Sequence, residues 1–255
     1  MGKYDSSKYR ITPLVESIKS NEKNFKSFIA TVENIPHLPL PGDENAFFYG
    51  EKEKQLNPPK EHLDALIDYM ASKEHTEAAH MNAKRKALFG LNSAAEKEKT
   101  REEAKRLLKT KYNGLPLPKA WYIFEGATNP DIYIEGDDYV IVCEGKWTEP
   151  HITTKTTHLK ADNEYRNQMI RHIQGALNAT EKKVYAFYIV DENCGYLNDL
   201  TSEALKDQIE RETIAPTNKE KILNAFYGFT TWQKIKNAIP SVNFMSKEEI
   251  NAIKK

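Results

Sequence analysis

Two carboxylates and a lysine stand at spacings that would bring them together on one β-hairpin. Asp131 begins one run of alternating apolar residues, and Glu144 and Lys146 end the next run. If Asp137 and Asp138 form a two-residue hairpin loop, Asp131 lies directly opposite Glu144. Directly opposed residues have Cβ atoms about 5 Å apart, so two negative charges there repel unless a cation lies between them. The pair therefore favours a divalent-cation site.

Strand alternation also places Lys146 on the same face as Glu144, whereas the isoleucines of both runs point to the other face, which we predict to be core. Oxygen ligands without a thiolate suit Mg²⁺, with Mn²⁺ as a substitute. Such an ion polarises a phosphate and lowers the pKa of a bound water. Lys146 would then position that water or stabilise the transition state. These residues would suit metal-assisted attack of a water on a phosphate.

A second interpretation of the same hairpin stays open. Glu144 and Lys146 would then form a solvated pair on an edge strand, and Asp131 would cap a turn. Other enzyme classes have less support, because the sequence contains no Walker phosphate loop, no glycine-rich dinucleotide turn and no nucleophile elbow.

The elements around the hairpin follow an α/β order. Alternating residues predict strands, and apolar residues three or four apart predict helices. On this basis we expect a helix over residues 93–112, strands over 121–125, 131–135 and 139–147, a helix over 162–177 and a buried strand from 182. This is an αβββαβ order with a mixed central sheet.

Helical extensions flank this core in the prediction. Thr12 and Pro13 begin a helix that continues to about residue 34, and a second amphipathic helix covers residues 60–89. Prolines and glycines make residues 35–59 irregular, and the chain from 201 onward is mainly helical. We expect a single domain over residues 1–255 with its core at about 93–192.

One motif resembles a known family. Pro130-Asp131, followed thirteen residues later by Glu144-Gly145-Lys146 in this order of elements, resembles the PD-(D/E)XK, or restriction-endonuclease-like, nuclease superfamily. The resemblance implies a metal site at Asp131, Glu144 and Gly145, with Lys146 assisting the nucleophile. It also implies a DNA endonuclease of restriction, defence or repair. The alternative is a catalytically inactive nuclease-fold protein that binds nucleic acid or another protein.

Three further acids are candidates for the metal site. Glu125 ends the first predicted strand and would lie at the same end of the sheet as the pair, as a metal or water ligand or as an ordinary turn residue. Members of the superfamily also recruit an acid from the preceding helix. Glu77 is the candidate we carry forward for that position, with Glu103 as a second choice.

The predicted helix over residues 162–177 supplies two polar candidates. Gln168 and Arg171 share a stripe beside its apolar face, and they resemble the helix residues that this superfamily aims at the scissile phosphate. The guanidinium of Arg171 suits a phosphate through its two-pronged geometry. Alternatively, Arg171 pairs with a surface acid such as Glu164.

Three histidines and a basic loop after the third predicted strand have weaker functional interpretations. His151, His158 and His172 lack zinc-like spacing, so we interpret them as structural. The polar loop over residues 150–160 would bring Lys155 and Lys160 to a nucleic-acid backbone, or is simply a mobile loop.

Composition limits the remaining possibilities. The 37 basic residues balance 37 acidic ones, so a nucleic-acid interface would have to be a local basic cleft. Cys143 and Cys194 indicate neither a disulfide framework nor a zinc site. No signal peptide and no run of about 20 apolar residues is present, so we expect a soluble cytoplasmic protein without a membrane partner. The expected partner is nucleic acid, DNA before RNA, and a homodimer is left open.

Overall fold

A mixed five-stranded sheet forms the centre of the protein, with strand order β1-β2-β3-β4-β5. The computed structural model describes residues 6–72, 94–111, 127–149, 152, 167–212, 216 and 218–253. The strands are β1 Phe47–Tyr49, β2 Ile132–Glu135, β3 Tyr139–Gly145, β4 Lys183–Val190 and β5 Phe226–Thr231. β1, β2 and β3 pair antiparallel, and β3, β4 and β5 pair parallel. The predicted α/β class and mixed sheet are confirmed.

Helices precede, connect and follow these strands. They are a π-helical turn Ser7–Ile11 and the α-helices α1 Thr12–Ile18, α2 Glu22–Ile29, α3 Lys60–Ser72, α4 Ala94–Lys111, α5 Gln168–Ala179, α6 Ser202–Arg211, α7 Lys219–Ala225, α8 Trp232–Ala238 and α9 Lys247–Ile253. The helix predicted over residues 12–34 is two helices, because the Asn21 side chain accepts the amide of Asn24 and starts α2 anew. None of the described helices is long and apolar enough to cross a membrane.

One prediction for the flanking segments was wrong in part, and the other, a mainly helical C-terminal segment, is confirmed but omitted one strand. Phe47–Tyr49, inside the segment predicted to be irregular, forms the edge strand β1 against β2. Phe226–Thr231, inside the C-terminal segment predicted to be mainly helical, forms β5 beside β4. Both strands are short and lie at sheet edges, where alternation is a weak signal. The strand predicted over residues 121–125 lies outside the described residues.

The predicted register of the central hairpin is confirmed. Observed partners across β2 and β3 are Glu135 with Val140, Tyr133 with Val142 and Ile132 with Cys143. The amide of Gly136 donates to the carbonyl oxygen of Tyr139 over 2.9 Å and closes the hairpin. Continued by one residue, this register sets Asp131 opposite Glu144.

Both faces of the sheet are buried, not one. The isoleucine face packs against α1, α2 and α8, as predicted for a core face. The face that carries Tyr133 and Val142 packs against α5, α6 and α7. The reason is topological, because the connection between the parallel strands β3 and β4 carries α5 across this face. Glu144 therefore lies beneath a helix and not on an open strand surface.

Candidate active site at the end of strand β3

The three residues that motivated a metal site lie together at the end of β3. Lys146 Nζ lies 2.6 Å from Glu144 Oε1, and their side chains are only 9% and 4% exposed. Asp131 Oδ2 accepts a hydrogen bond from the amide of Gly145 over 2.7 Å. The solvated pair on an edge strand is thereby excluded as an account of Glu144 and Lys146, because β3 is an interior strand and both side chains are buried.

Gly145 permits close packing behind this hydrogen bond. A Cβ atom at Gly145 would lie 2.7 Å from Ile11 Cδ1 and 3.2 Å from the Trp232 ring. The next residue is held on both sides, since the Lys146 amide donates to Ile189 over 2.8 Å and its carbonyl accepts from Trp232 Nε1 over 2.8 Å. The main chain under the site is therefore fixed by β4 and α8.

Helix α5 brings a polar side chain to the lysine. Gln168 Oε1 accepts from Lys146 Nζ over 3.3 Å. The helix starts here because the Asn167 side chain accepts the amides of Met169 and Ile170 as an N-cap. Arg171, three residues further along α5, is half-buried. Glu164, its suggested surface partner, lies outside the described residues.

His172 belongs to the same group, although its spacing to other histidines gave no reason to choose it. It is fully buried; its Nε2 lies 2.9 Å from Glu144 Oε2 and its Nδ1 lies 2.7 Å from Thr128 Oγ1. One sequence signal was present. Gln168 and His172 are four residues apart, so a helix presents both on one side.

A third carboxylate, Glu53, lies near the pair. It follows the 3₁₀ turn Gly50–Lys52, is half-buried, and forms a side-chain hydrogen bond with Asn129. Withdrawal from water raises the pKa of Glu53, and the negative charge of Glu144 raises it further. Glu53 in turn contributes to the raised pKa of Asp131. Sequence reasoning missed it because the segment over residues 35–59 had no readable pattern.

The two opposed carboxylates differ in electrostatic state. Loss of solvation, and then the charge of Glu144, raises the pKa of Asp131 well above its ordinary value. Burial alone would also raise the pKa of Glu144, but Lys146 and His172 more than offset it and lower that pKa. Burial alone would lower the pKa of Lys146, but the charge and hydrogen bond of Glu144 raise it above its ordinary value. The charge of Lys146 lowers the pKa of Asp131 as well, but there it does not offset burial and the charge of Glu144.

Oxygen donors of this kind fit Mg²⁺ or Mn²⁺ better than a soft metal. As arranged here, Glu144 directs one oxygen to Lys146 and the other to His172. In the described part of the chain, no three histidine, cysteine or acidic side chains are grouped closely enough to hold a metal ion.

Of the remaining sequence candidates, the structure describes Glu103 alone. Glu103 lies on α4 in an exposed ion pair with Arg106. Other candidates fall outside the described residues, namely Glu77, Glu125, His151, His158, Lys155 and Lys160.

Comparisons of the chain with models of protein families, with curated proteins and with solved structures found no match. A functional interpretation therefore depends on the residues of this chain. The opposed Asp131 and Glu144, with Lys146 two positions along the same strand face, are the arrangement that has to be explained.

Proposed function

We propose that this chain is a metal-dependent nuclease of the PD-(D/E)XK type that hydrolyses phosphodiester bonds. The observation that carries the proposal is the buried end of β3, where Lys146 Nζ lies 2.6 Å from Glu144 and Asp131 bonds to the amide between them. Charged groups are rarely buried without a functional or pairing reason. DNA is the proposed substrate, cut internally, as in restriction, defence or repair.

The order of elements supports the same proposal. In the described chain, α4 is followed by the antiparallel pair β2 and β3, then by α5, then by β4 parallel to β3. This is the α-β-β-α-β part of the predicted αβββαβ order, whose first strand, over residues 121–125, lies outside the described residues. β1 completes three antiparallel strands, although it precedes α3 and α4 in the chain.

The chemistry divides among the residues of the site. Asp131 and Glu144 would hold Mg²⁺ or Mn²⁺, which when bound polarises a phosphate oxygen and acidifies a water. Lys146 would donate hydrogen bonds to the attacking water or to the phosphate, where its positive charge stabilises the developing negative charge. Gln168 holds Lys146 Nζ from the helix side. Glu53 supplies a further carboxylate near Asp131.

The test is a cleavage assay with the full chain. Supercoiled plasmid, linear duplex and single-stranded DNA are each incubated with Mg²⁺, Mn²⁺ or EDTA. We expect nicking or linearisation of the plasmid with either metal and none with EDTA. Glu144→Gln should abolish cleavage, whereas the control Glu135→Gln, a half-buried carboxylate at the other end of the same hairpin, should cleave like the wild type.

An inactive wild type would overturn the nuclease assignment. If the wild type cleaves none of the three DNA substrates or single-stranded RNA with either metal, yet binds DNA, the chain is a nucleic-acid-binding module of similar architecture. If it cleaves RNA alone, the reaction class stands and the substrate class is corrected.

A further inference from the structure

We propose that His172 and Thr128 form a hydrogen-bonded chain that orients the Glu144 carboxylate, which makes His172 a positioning residue of the metal site. The inference rests on the proposed function, because orienting Glu144 matters for catalysis only if Glu144 binds the metal. Its physical basis, however, is a set of contacts that can be tested without any nuclease activity.

The two oxygens of Glu144 have different partners. Oε1 lies 2.6 Å from the ammonium of Lys146, and Oε2 lies 2.9 Å from His172 Nε2. An ionised carboxylate only accepts hydrogen bonds, so the Nε2 atom of His172 carries the proton. In a neutral imidazole Nδ1 is then an acceptor, and the Thr128 hydroxyl donates to it over 2.7 Å. A threonine hydroxyl can donate or accept, so the Glu144 contact selects this tautomer and the Thr128 contact is compatible with it.

Thr128 is itself fixed by main-chain pairing. Its amide donates to Leu56 over 2.8 Å, and the Leu56 amide donates back to Thr128 over 2.9 Å. Helix α5 can approach this bridge because Gly175 has no side chain, since a Cβ atom there would lie 2.7 Å from Leu56 Cβ. Main-chain pairing therefore fixes the position of Thr128, whose hydroxyl contacts His172.

The hydrogen-bonded chain also connects Glu53 and Glu144, two carboxylates that lie in separate segments. Glu53 stands three residues before Leu56, and Leu56 is bridged to Thr128. His172 continues this connection to Glu144 on β3. The segment that carries Glu53 and the strand that carries Glu144 are thus joined through two hydrogen bonds and one β-bridge.

A neutral donor suits this role better than a second cation. Lys146 already supplies one positive charge to Glu144, and another would neutralise the attraction that the carboxylate offers to a metal. Partners that orient a metal ligand in this way affect metal affinity by about 10- to 100-fold when they are removed.

Four variants separate orientation from general loss of packing. His172→Leu removes both hydrogen bonds, His172→Gln keeps an amide donor near the Nε2 position, and Thr128→Val removes the hydroxyl alone. Ile173→Val is the matched control, because it trims a buried side chain of the same helix outside the site. Mn²⁺ affinity is measured by titration calorimetry, and kcat and KM are measured in plasmid cleavage.

We expect His172→Leu to weaken Mn²⁺ binding by about 10- to 100-fold and to lower kcat more than it changes KM. His172→Gln should recover most of the affinity, Thr128→Val should lose less than His172→Leu, and Ile173→Val should bind Mn²⁺ like the wild type. Wild-type affinity in His172→Leu overturns the proposal. So does an equal loss in His172→Leu, His172→Gln and Ile173→Val, which would indicate disturbed packing.

Nitrogen-15 NMR of the histidine ring tests the chain independently of metal. His172 should show the tautomer protonated at Nε2 in the wild type, and a tautomer protonated at Nδ1 would overturn the proposed chain. If the tautomer is as expected but the wild type binds no Mn²⁺ and cleaves nothing, the nuclease proposal fails and the role of His172 at a metal site fails with it. If only the hydrogen-bonded chain is wrong, the tautomer differs from expectation while the wild type still binds Mn²⁺.

Discussion

Two ion-pair groups in this protein have similar geometry in opposite surroundings. At the end of β3, Lys146 lies 2.6 Å from Glu144, with side chains 9% and 4% exposed. Between α3 and α4, Lys105 lies 2.8 Å from Asp68, with side chains 25% and 44% exposed. An exposed pair gains little, whereas a buried pair must overcome the loss of hydration of both ions. Distance alone therefore does not distinguish the two pairs, whereas burial does.

The largest expected effect comes from breaking the buried pair. Lys146→Ala should lower the free energy of unfolding by about 3–5 kcal/mol, because Glu144 is left buried without its cation. Cleavage should also fall by at least about 100-fold. Urea unfolding and the plasmid assay measure the two effects.

A double variant separates stability from activity at this pair. Glu144→Gln combined with Lys146→Met removes both charges and retains similar volume, so most of the stability should return while cleavage stays absent. A fully stable Lys146→Ala protein would contradict the buried-pair interpretation. Cleavage at the wild-type rate by that variant would remove Lys146 from the mechanism.

The next effect concerns Asp131, the carboxyl of the pair whose pKa is raised. Mn²⁺ at 100 times its Kd should stabilise the wild type by about 2.7 kcal/mol, and Asp131→Asn should remove most of that increment. Thermal melts with and without Mn²⁺ measure it. Asp137→Asn, at the exposed hairpin turn, is the control and should keep the full response. If Asp131→Asn also keeps it, Asp131 is not a ligand.

The same variant gives a pH dependence without metal. Because the pKa of Asp131 is raised in the folded state, folding favours its protonated form. Its contribution to stability is therefore complete at low pH and is lost as the pH rises from the unfolded pKa through the folded one. The stability of Asp131→Asn relative to the wild type should accordingly increase with pH over that window. Urea unfolding at several pH values with EDTA should show this trend, and a constant difference would contradict it.

Local patterns predicted the hairpin but not all of its surroundings. Alternation and a two-residue loop were enough for the register of Tyr133 with Val142, because a slip by one residue would turn every apolar side chain to the wrong face. Helical spacing likewise placed Gln168 beside the site. His172 was missed because its partner Glu144 is 28 positions away and only tertiary packing brings them together. Glu53 follows a short edge strand whose pairing with β2 is equally non-local.

A smaller effect is expected at the carboxylate that sequence reasoning missed. Glu53→Gln should weaken Mn²⁺ binding by about tenfold, the lower end of the range for groups around a metal, because Glu53 influences the site from its edge. Calorimetric titration measures the affinity, and Glu51→Gln, an exposed neighbour in the preceding turn, is the control. Unchanged affinity would leave Glu53 as a residue that only packs near the site.

Arg171 should act on the substrate and not on the metal. Arg171→Ala should weaken DNA binding by about 1 kcal/mol, since one charge-assisted contact to a phosphate would be lost. The slope of log affinity against log salt concentration should also fall by about one. Fluorescence anisotropy at several salt concentrations measures both, with Mn²⁺ affinity as the internal control. An unchanged salt slope would return Arg171 to a surface pair.

The smallest effect is expected at the exposed group, and it completes the comparison. Asp68 lies between Arg101 and Lys105, and hydrogen bonds from these two residues lower its pKa despite an opposing effect of burial. Lys105→Ala should nevertheless reduce the free energy of unfolding by only about 0.2–1 kcal/mol, because water and salt screen the pair. Urea unfolding at low and high salt should show this small loss shrink as ionic strength rises, whereas the loss in Lys146→Ala should persist. A loss at Lys105 as large and as insensitive to salt as the one at Lys146 would mean that burial does not distinguish the two groups.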